Sequence, residues 1–354
     1  MLSYALVNTQ SEDVHLRKAG PRRFVLWTAT VLLSLGLAGG VAEVVARLAH
    51  LHAFQIQQSA YIGWAQRDPV LGWRNNPGVY PSNEGDHQPM TFLADGSRAT
   101  GAPEGKDTSI LIVGCSFSSG YGVRDQETYS ALLQQRFPAE RVRNFAVSGY
   151  GTYQSLLLLK ELVEQRGYRP RLVIYPFMGM HPGRNVLTYG MLESFRAYGG
   201  QRFPPPHVEL HDGKLTAYPP YVVPNWPLEQ QSAFVSLLHT VALRNALAGR
   251  ELYQVEATRQ LIQQMKQVSE KAGARFVVVT LWNGKDPWGG FPTKQVTDAI
   301  RQDGIEEFDI TYEGPETRVA KLVVGGHGHP GPIIHKWWAD RIGDWLSRER
   351  AAVR

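Results

Sequence analysis

The stretch Ile110-Leu-Ile-Val-Gly-Cys-Ser-Phe-Ser-Ser-Gly-Tyr-Gly122 decides the fold. Four β-favouring apolar residues run into Gly114, Ser116 follows at once, and small residues and glycines continue to Gly122. A buried strand that stops at a serine is one way to present a nucleophilic hydroxyl, because the sheet fixes its position and the loop beyond leaves room for a substrate. Serine is also a frequent turn residue. The catalytic reading therefore depends on whether the rest of the chain supplies a base and an oxyanion hole.

Working outward, strands and helices alternate from Ser109 onward. The pattern predicts strands over 110–114, 142–146, 172–177 and 275–281, and a short fifth near 307–310. Helical spacing is predicted over 127–137, 153–165, 234–247, 255–272 and 335–348, with Gly273 as a stop signal. Short apolar strands separated by helices indicate an α/β fold with a parallel sheet covered on both faces. Residues 186–232 break the rhythm with Pro204-Pro-Pro206 and Pro219-Pro-Tyr-Val-Val-Pro224, and read as an insertion lying over one end of the sheet. Residues 47–105 are rich in Pro, Gly, Asn and Asp and read as a connector with some local order. The organisation expected is a tail over 1–23, an anchor over 24–46, this connector, and one domain over 106–350.

The anchor rests on an uncharged run of 19 residues from Phe24 to Ala42. At about 1.5 Å per residue, such a helix just crosses a hydrocarbon core of about 30 Å. Arg17, Lys18, Arg22 and Arg23 precede it and only Arg47 follows closely. The positive-inside rule then keeps the N-terminus in the cytoplasm, with a single pass through the inner membrane and the rest of the chain outside. A cleaved signal peptide is the competing reading, and the long leader and apolar run favour an uncleaved anchor.

The formal charge of +5 over 354 residues is mild, and beyond the N-terminus the basic residues are scattered, which argues against a nucleic-acid partner. The single cysteine, Cys115, cannot form an internal disulfide. It adjoins Ser116 and is a second possible nucleophile, although a buried thiol fits a strand end better.

Ligands of open α/β sheets bind beyond the carboxyl ends of the strands. The segments there are Gly114-Cys-Ser116, Ser148-Gly-Tyr-Gly-Thr152, Met178-Gly-Met-His-Pro-Gly-Arg-Asn185, and, before the last helix, Gly325-Gly-His-Gly-His-Pro330. In this order, over roughly 107–348, they resemble the blocks of the SGNH (GDSL-like) hydrolases. Gly114-Cys-Ser-Phe resembles the first block, with Cys115 where the family has Asp. Asn144-Phe-Ala-Val-Ser-Gly149 resembles the second, and His329-Pro330 the last. The resemblance implies a three-layer α/β/α sandwich with a flavodoxin-like parallel sheet. It implies Ser116 as nucleophile, His329 as general base, and the N–H groups of Ser116 and Gly149 as oxyanion donors, with no cofactor.

Two departures accompany it. Met180 stands where the family's third block carries an oxyanion-donating Asn, and Met cannot donate. His181 and Asn185 are the candidate replacements. In the last block His327 occupies the region of the orienting acid and Gly326 stands one residue earlier, leaving a Ser–His dyad. Asp309 is a distant alternative that reads better as a turn residue. His327, His329 and His335 also invite a metal, but no Cys, Asp or Glu joins them locally, so no metal is expected. Arg184 reads equally as a solvated loop residue or a substrate contact. Tyr150, Tyr153, Trp282 and Trp288 read as core or as faces for sugar rings.

Three functions follow from these readings. The first is a membrane-anchored extracytoplasmic esterase that removes O-acyl groups, acetyl above all, from a cell-envelope or exported polysaccharide. The second is an O-acetyltransferase using the same Ser and His, with a membrane partner supplying acyl groups. The third is a non-catalytic glycan-binding or assembly subunit.

Overall fold

The computed structural model describes residues 21–56, 63–81, 89–103, 107–197, 203–282, 290–324 and 328–352. The chain forms two compact units, Met1–Phe54 with Trp226–His239, and Gln55–Asn225 with Thr240–Arg354.

The second unit is built on five parallel strands: β1 (Ile110–Ile112), β2 (Val142–Asn144), β3 (Leu172–Phe177), β4 (Arg275–Thr280) and β5 (Glu307–Asp309). Their spatial order is β5-β4-β3-β1-β2, the doubly wound arrangement of flavodoxin-like sheets. Strand side chains alternate between faces. Leu111, Val113, Val173, Tyr175, Phe276 and Val278 therefore enter one core, with the helices Thr152–Lys160, Arg250–Lys271 and Thr293–Gln302. Ile110, Ile112, Ile174, Val277 and Val279 enter the other, with the helices Tyr129–Arg136 and Pro332–Ala352. The result is the expected three-layer α/β/α sandwich.

The element ends have local causes. Thr128 caps the helix Tyr129–Arg136 by accepting the Ala131 N–H at 3.2 Å. The helix Arg250–Lys271 begins five residues earlier than its periodicity suggests, directly after Gly249, whose φ is 82°. The last helix starts at Pro332, a residue suited to a first turn because its missing N–H would have no partner there.

Within 47–105 the described residues form two strand pairs. The antiparallel pairs Ala65–Asp68 with Gly72–Asn75 and Gly78–Pro81 with Pro89–Phe92 belong to the second unit. Leu71 and Trp73 are buried in the first core. The 186–232 stretch holds the helix Tyr189–Ala197 and the hairpin His207–His211 with Lys214–Tyr218. Arg250 pairs with Glu209, and Gln260 donates to the Gly213 carbonyl at 3.0 Å, so this hairpin docks on the helix Arg250–Lys271.

In the first unit, the helix Pro21–Leu48 is long and apolar enough over Arg22–Leu48 to cross a membrane, and none of its most apolar window is buried.

Candidate active site

The switch point of this sheet lies between β1 and β3, where chain connections leave in opposite directions. Ser116 stands there. Its 7% exposure makes it the most accessible of the three serines in the short helix Ser116–Ser119. As the first helical residue, its N–H falls outside the helix's own ladder. Its carbonyl accepts the N–H groups of Gly120 and Tyr121 at 3.0 and 3.1 Å. Gly120 ends the helix at φ 75°, where a Cβ would stand 2.5 Å from Thr128 Cγ2.

The β1–β2 pairing carries on past both strands and places Gly149. Phe145 N–H bonds Ile112 O at 2.8 Å, and Val147 N–H bonds Gly114 O at 2.9 Å. Ser116 and Gly149 thus each leave the sheet two residues beyond a paired position. Gly149 has φ 85°, a left-handed conformation that favours glycine. Its neighbour Tyr150 closes the turn onto Val147 O at 3.2 Å.

His329 is brought to the same helix. Its ring lies 5.5 Å from the Phe117 ring and 4.9 Å from that of Tyr121, the residues beside and one turn beyond Ser116. Val324 N–H bonds its carbonyl at 2.8 Å. His327, Gly326 and Trp288 lie outside the described residues.

In the third block both candidate donors are engaged in other contacts. Asn185 donates both amide hydrogens, to Thr152 Oγ1 at 3.0 Å and to Thr258 Oγ1 at 2.9 Å, and its Oδ1 accepts the Tyr153 N–H at 3.0 Å. It caps the helix Thr152–Lys160 and has no donor left for an oxyanion. His181 is fully buried, with Nδ1 2.7 Å from Tyr175 Oη. Tyr175 donates its hydroxyl to Thr152 Oγ1 at 2.8 Å, so His181, Tyr175 and Thr152 form one buried chain of contacts. Burial, and then the nearby Arg184, hold this imidazole neutral, well below its ordinary range. Its Nε2 is buried without a hydrogen-bond partner.

The remaining candidates resolve one by one. Cys115 is fully buried with Sγ 3.2 Å from Met178 Sδ, and burial pushes its pKa up, so it stays a thiol. His335 is buried in the last helix with Nδ1 accepting the Tyr129 N–H at 3.3 Å. Burial, then Arg98 and His329, lower its pKa to about 3. Asp309 accepts the Thr311 N–H at 2.7 Å, a turn role. Arg184 donates to Tyr150 O at 3.0 Å instead of facing solvent alone. Tyr150 is core, Tyr153 is half-buried, and Trp282 packs 5.7 Å from Phe117. Among the described residues no group of three His, Cys, Asp or Glu could hold a metal.

Sequence reasoning missed the braces behind the site. The fully buried Arg98 donates to Asp125 Oδ1 at 2.7 Å, to the Ser119 and Gly120 carbonyls at 3.2 Å each, and to Val123 O at 2.9 Å. It satisfies the carbonyl end of the Ser116 helix. Asn144 donates to Ser118 O at 2.8 Å and Ser130 Oγ at 3.0 Å. Trp73 Nε1 donates to Ser148 O at 2.8 Å, Gln154 Nε2 to Leu71 O at 2.8 Å, and Asn75 Nδ2 to Ala146 O at 3.1 Å. The only signal for this clamp was Leu71-Gly-Trp-Arg-Asn-Asn-Pro77, an apolar and turn-rich cluster within a stretch lacking periodicity.

No family model and no curated protein matches the chain. Among solved structures, it resembles a lipolytic protein of the G-D-S-L family from Veillonella parvula at TM-score 0.40 and 11% identity, covering 68% of this chain and 99% of that one. For TesA the values are 0.39 and 15%, with 68% and 97% covered. For an acetyl xylan esterase from Butyrivibrio proteoclasticus they are 0.38 and 13%, with 70% and 65% covered. Superpositions this loose do not transfer an activity, which has to come from the residues.

Proposed function

We propose that this chain is an SGNH-type serine esterase, anchored in the inner membrane, that removes O-acyl groups such as acetyl from a cell-envelope or exported polysaccharide outside the cytoplasm. One observation carries the reading: the β1–β2 pairing runs on to Gly114 and Val147, so Ser116 and Gly149 leave the sheet in register, and the His329 ring lies against Phe117 of the Ser116 helix and Tyr121 just beyond it.

In this mechanism Ser116 Oγ attacks the acyl carbon while His329 takes its proton. The oxyanion is held by the Ser116 and Gly149 N–H groups. The C–O bond to the sugar breaks, and His329 returns the proton to the leaving oxygen. Water, deprotonated by His329, then releases the acid and restores Ser116. One missing oxyanion donor costs about 10²–10³ in rate, so the enzyme is expected to be slow. The apolar run from Phe24 and the basic residues before it support the anchor and the outward placement.

The test is labelling of the full chain in detergent with a fluorophosphonate probe. A covalent adduct that disappears in Ser116→Ala is expected. An unlabelled wild type, beside a labelled control hydrolase, would remove both the esterase and the transferase readings and leave a binding subunit. Acetate release compared with transfer to an added oligosaccharide then separates the two enzymes.

A further inference from the structure

Glu43 interrupts the apolar helix Pro21–Leu48 near its end. Its carboxylate accepts the N–H groups of Ala233 and Phe234 at 3.1 and 2.9 Å and the Ser232 hydroxyl at 2.7 Å. The two N–H groups belong to the first turn of the helix Ala233–Ala246, where Ser232 Oγ accepts a third, that of Val235, at 3.1 Å. Arg47, one turn on, donates to Glu43 at 2.6 Å and to the Gln231 carbonyl at 3.0 Å. Phe54 N–H adds a bond to Glu229 O at 3.1 Å. Two stretches nearly 190 residues apart are thus clamped within one compact unit.

The clamped segment is two-faced. Ala233, Ser236 and His239 are buried, at helical spacing. Leu237 and Leu238 are 36% and 43% exposed, Leu228 is 65% exposed and Trp226 40%. The Trp226 ring is held flat on His239, 4.7 Å away at 10°, and His239 Nδ1 meets Glu229 at 2.9 Å in a buried pair. The unit therefore presents apolar side chains on a backbone that is firmly fixed.

Depth identifies what covers them. From Phe24 to Glu43 a helix rises about 28 Å, close to the full hydrocarbon thickness of about 30 Å. Anything bound to Glu43 then sits where the acyl chains give way to headgroups. Exposed leucines in a segment bound to Glu43, beside an indole stacked on His239, match an interfacial segment.

We propose that Trp226–His239 is a membrane-surface seat, whose Leu228, Leu237 and Leu238 enter the boundary of the bilayer that Pro21–Leu48 crosses. This rests on the anchor reading above. The seat gives the chain a second hold on the membrane and makes Glu43 its latch.

The test uses the full chain in phosphatidylethanolamine–phosphatidylglycerol vesicles. Cys115 is buried, so a polarity-sensitive fluorophore can be placed selectively at Leu238→Cys or at Leu33→Cys. Nitroxide lipids should quench both, mid-chain ones at 33 and headgroup-proximal ones at 238, with iodide quenching at 238 several-fold weaker than after unfolding. Adding Glu43→Ala should restore iodide quenching at 238 and leave 33 unchanged. If 33 is quenched by lipid while 238 is open to iodide, or is shielded from both quenchers by a protein partner or second copy, the seat is overturned and the anchor stands. If 33 is not quenched by lipid, the anchor reading itself fails.

Discussion

The turns after β1 and β2 leave the same edge of the sheet as the turn after β3, yet they end in opposite states. The first two finish on backbone, with Ser116 at a helix start and Gly149 in a left-handed turn. The third finishes on side chains that are already engaged, with Asn185 holding Thr152, Thr258 and Tyr153 and His181 holding Tyr175. A main-chain position is set by the sheet whatever its side chain, whereas a side-chain amide can be taken up in capping, as that of Asn185 is. Each side is also backed by a buried neutral imidazole: His335 beneath Tyr129, whose hydroxyl bonds Ser118, and His181 beside Tyr175.

The largest expected effect breaks the working side. His329→Ala should lower kcat/KM by about 10²–10⁴, the usual contribution of a general base, with little change in Tm. Steady-state kinetics and a melt on the same sample check this, and an unaltered rate would remove His329 from the mechanism.

Acid should loosen the support of the working side next. The folded-state pKa of His335, about 3, lies below its ordinary value of 6.5. The unfolded state therefore binds more protons, and stability present above about pH 6.5 is lost as pH falls toward 3. A shift this size corresponds to at most about 5 kcal/mol. His181, shifted the same way, adds to the loss from the other side. Tm should fall steadily from pH 6.5 to 4, and His335→Gln should flatten part of that slope. A Tm constant over that range would contradict the buried neutral imidazoles.

The smallest effect sharpens the contrast. Asn185→Ala should cost about 1–3 kcal/mol of stability, because Thr152, Thr258 and the Tyr153 N–H lose partners. The kcat of the folded fraction should stay near wild type. A fall of about 10² in kcat without loss of Tm would instead make Asn185 an oxyanion donor.

The fold was legible because its signals are local. Uninterrupted apolar runs marked β1, β3 and β4, and Gly114 marked the end of the first. Ser116, Gly149 and His329 stood out because each follows its own element in chain order. The supports were not legible because they are long-range pairings. Arg98 reaches Val123 and Asp125, and Trp73 reaches Ser148, 75 residues on, from a stretch with no period to announce it. The engagement of Asn185 was equally hidden, since a turn-forming Asn and a helix-capping Asn look alike until Thr152 and Thr258 are brought to it.

Cys115 closes the strand end that carries Ser116. The sole thiol of this sequence lies sealed against Met178 at the end of the strand that delivers Ser116. Folding then involves no internal disulfide, and disulfide-linked dimers cannot form while the strand end stays closed. The sulfur also serves as a built-in clock: a thiol reagent can reach it only when that strand end opens, so its rate of modification counts the openings of the segment that carries Ser116.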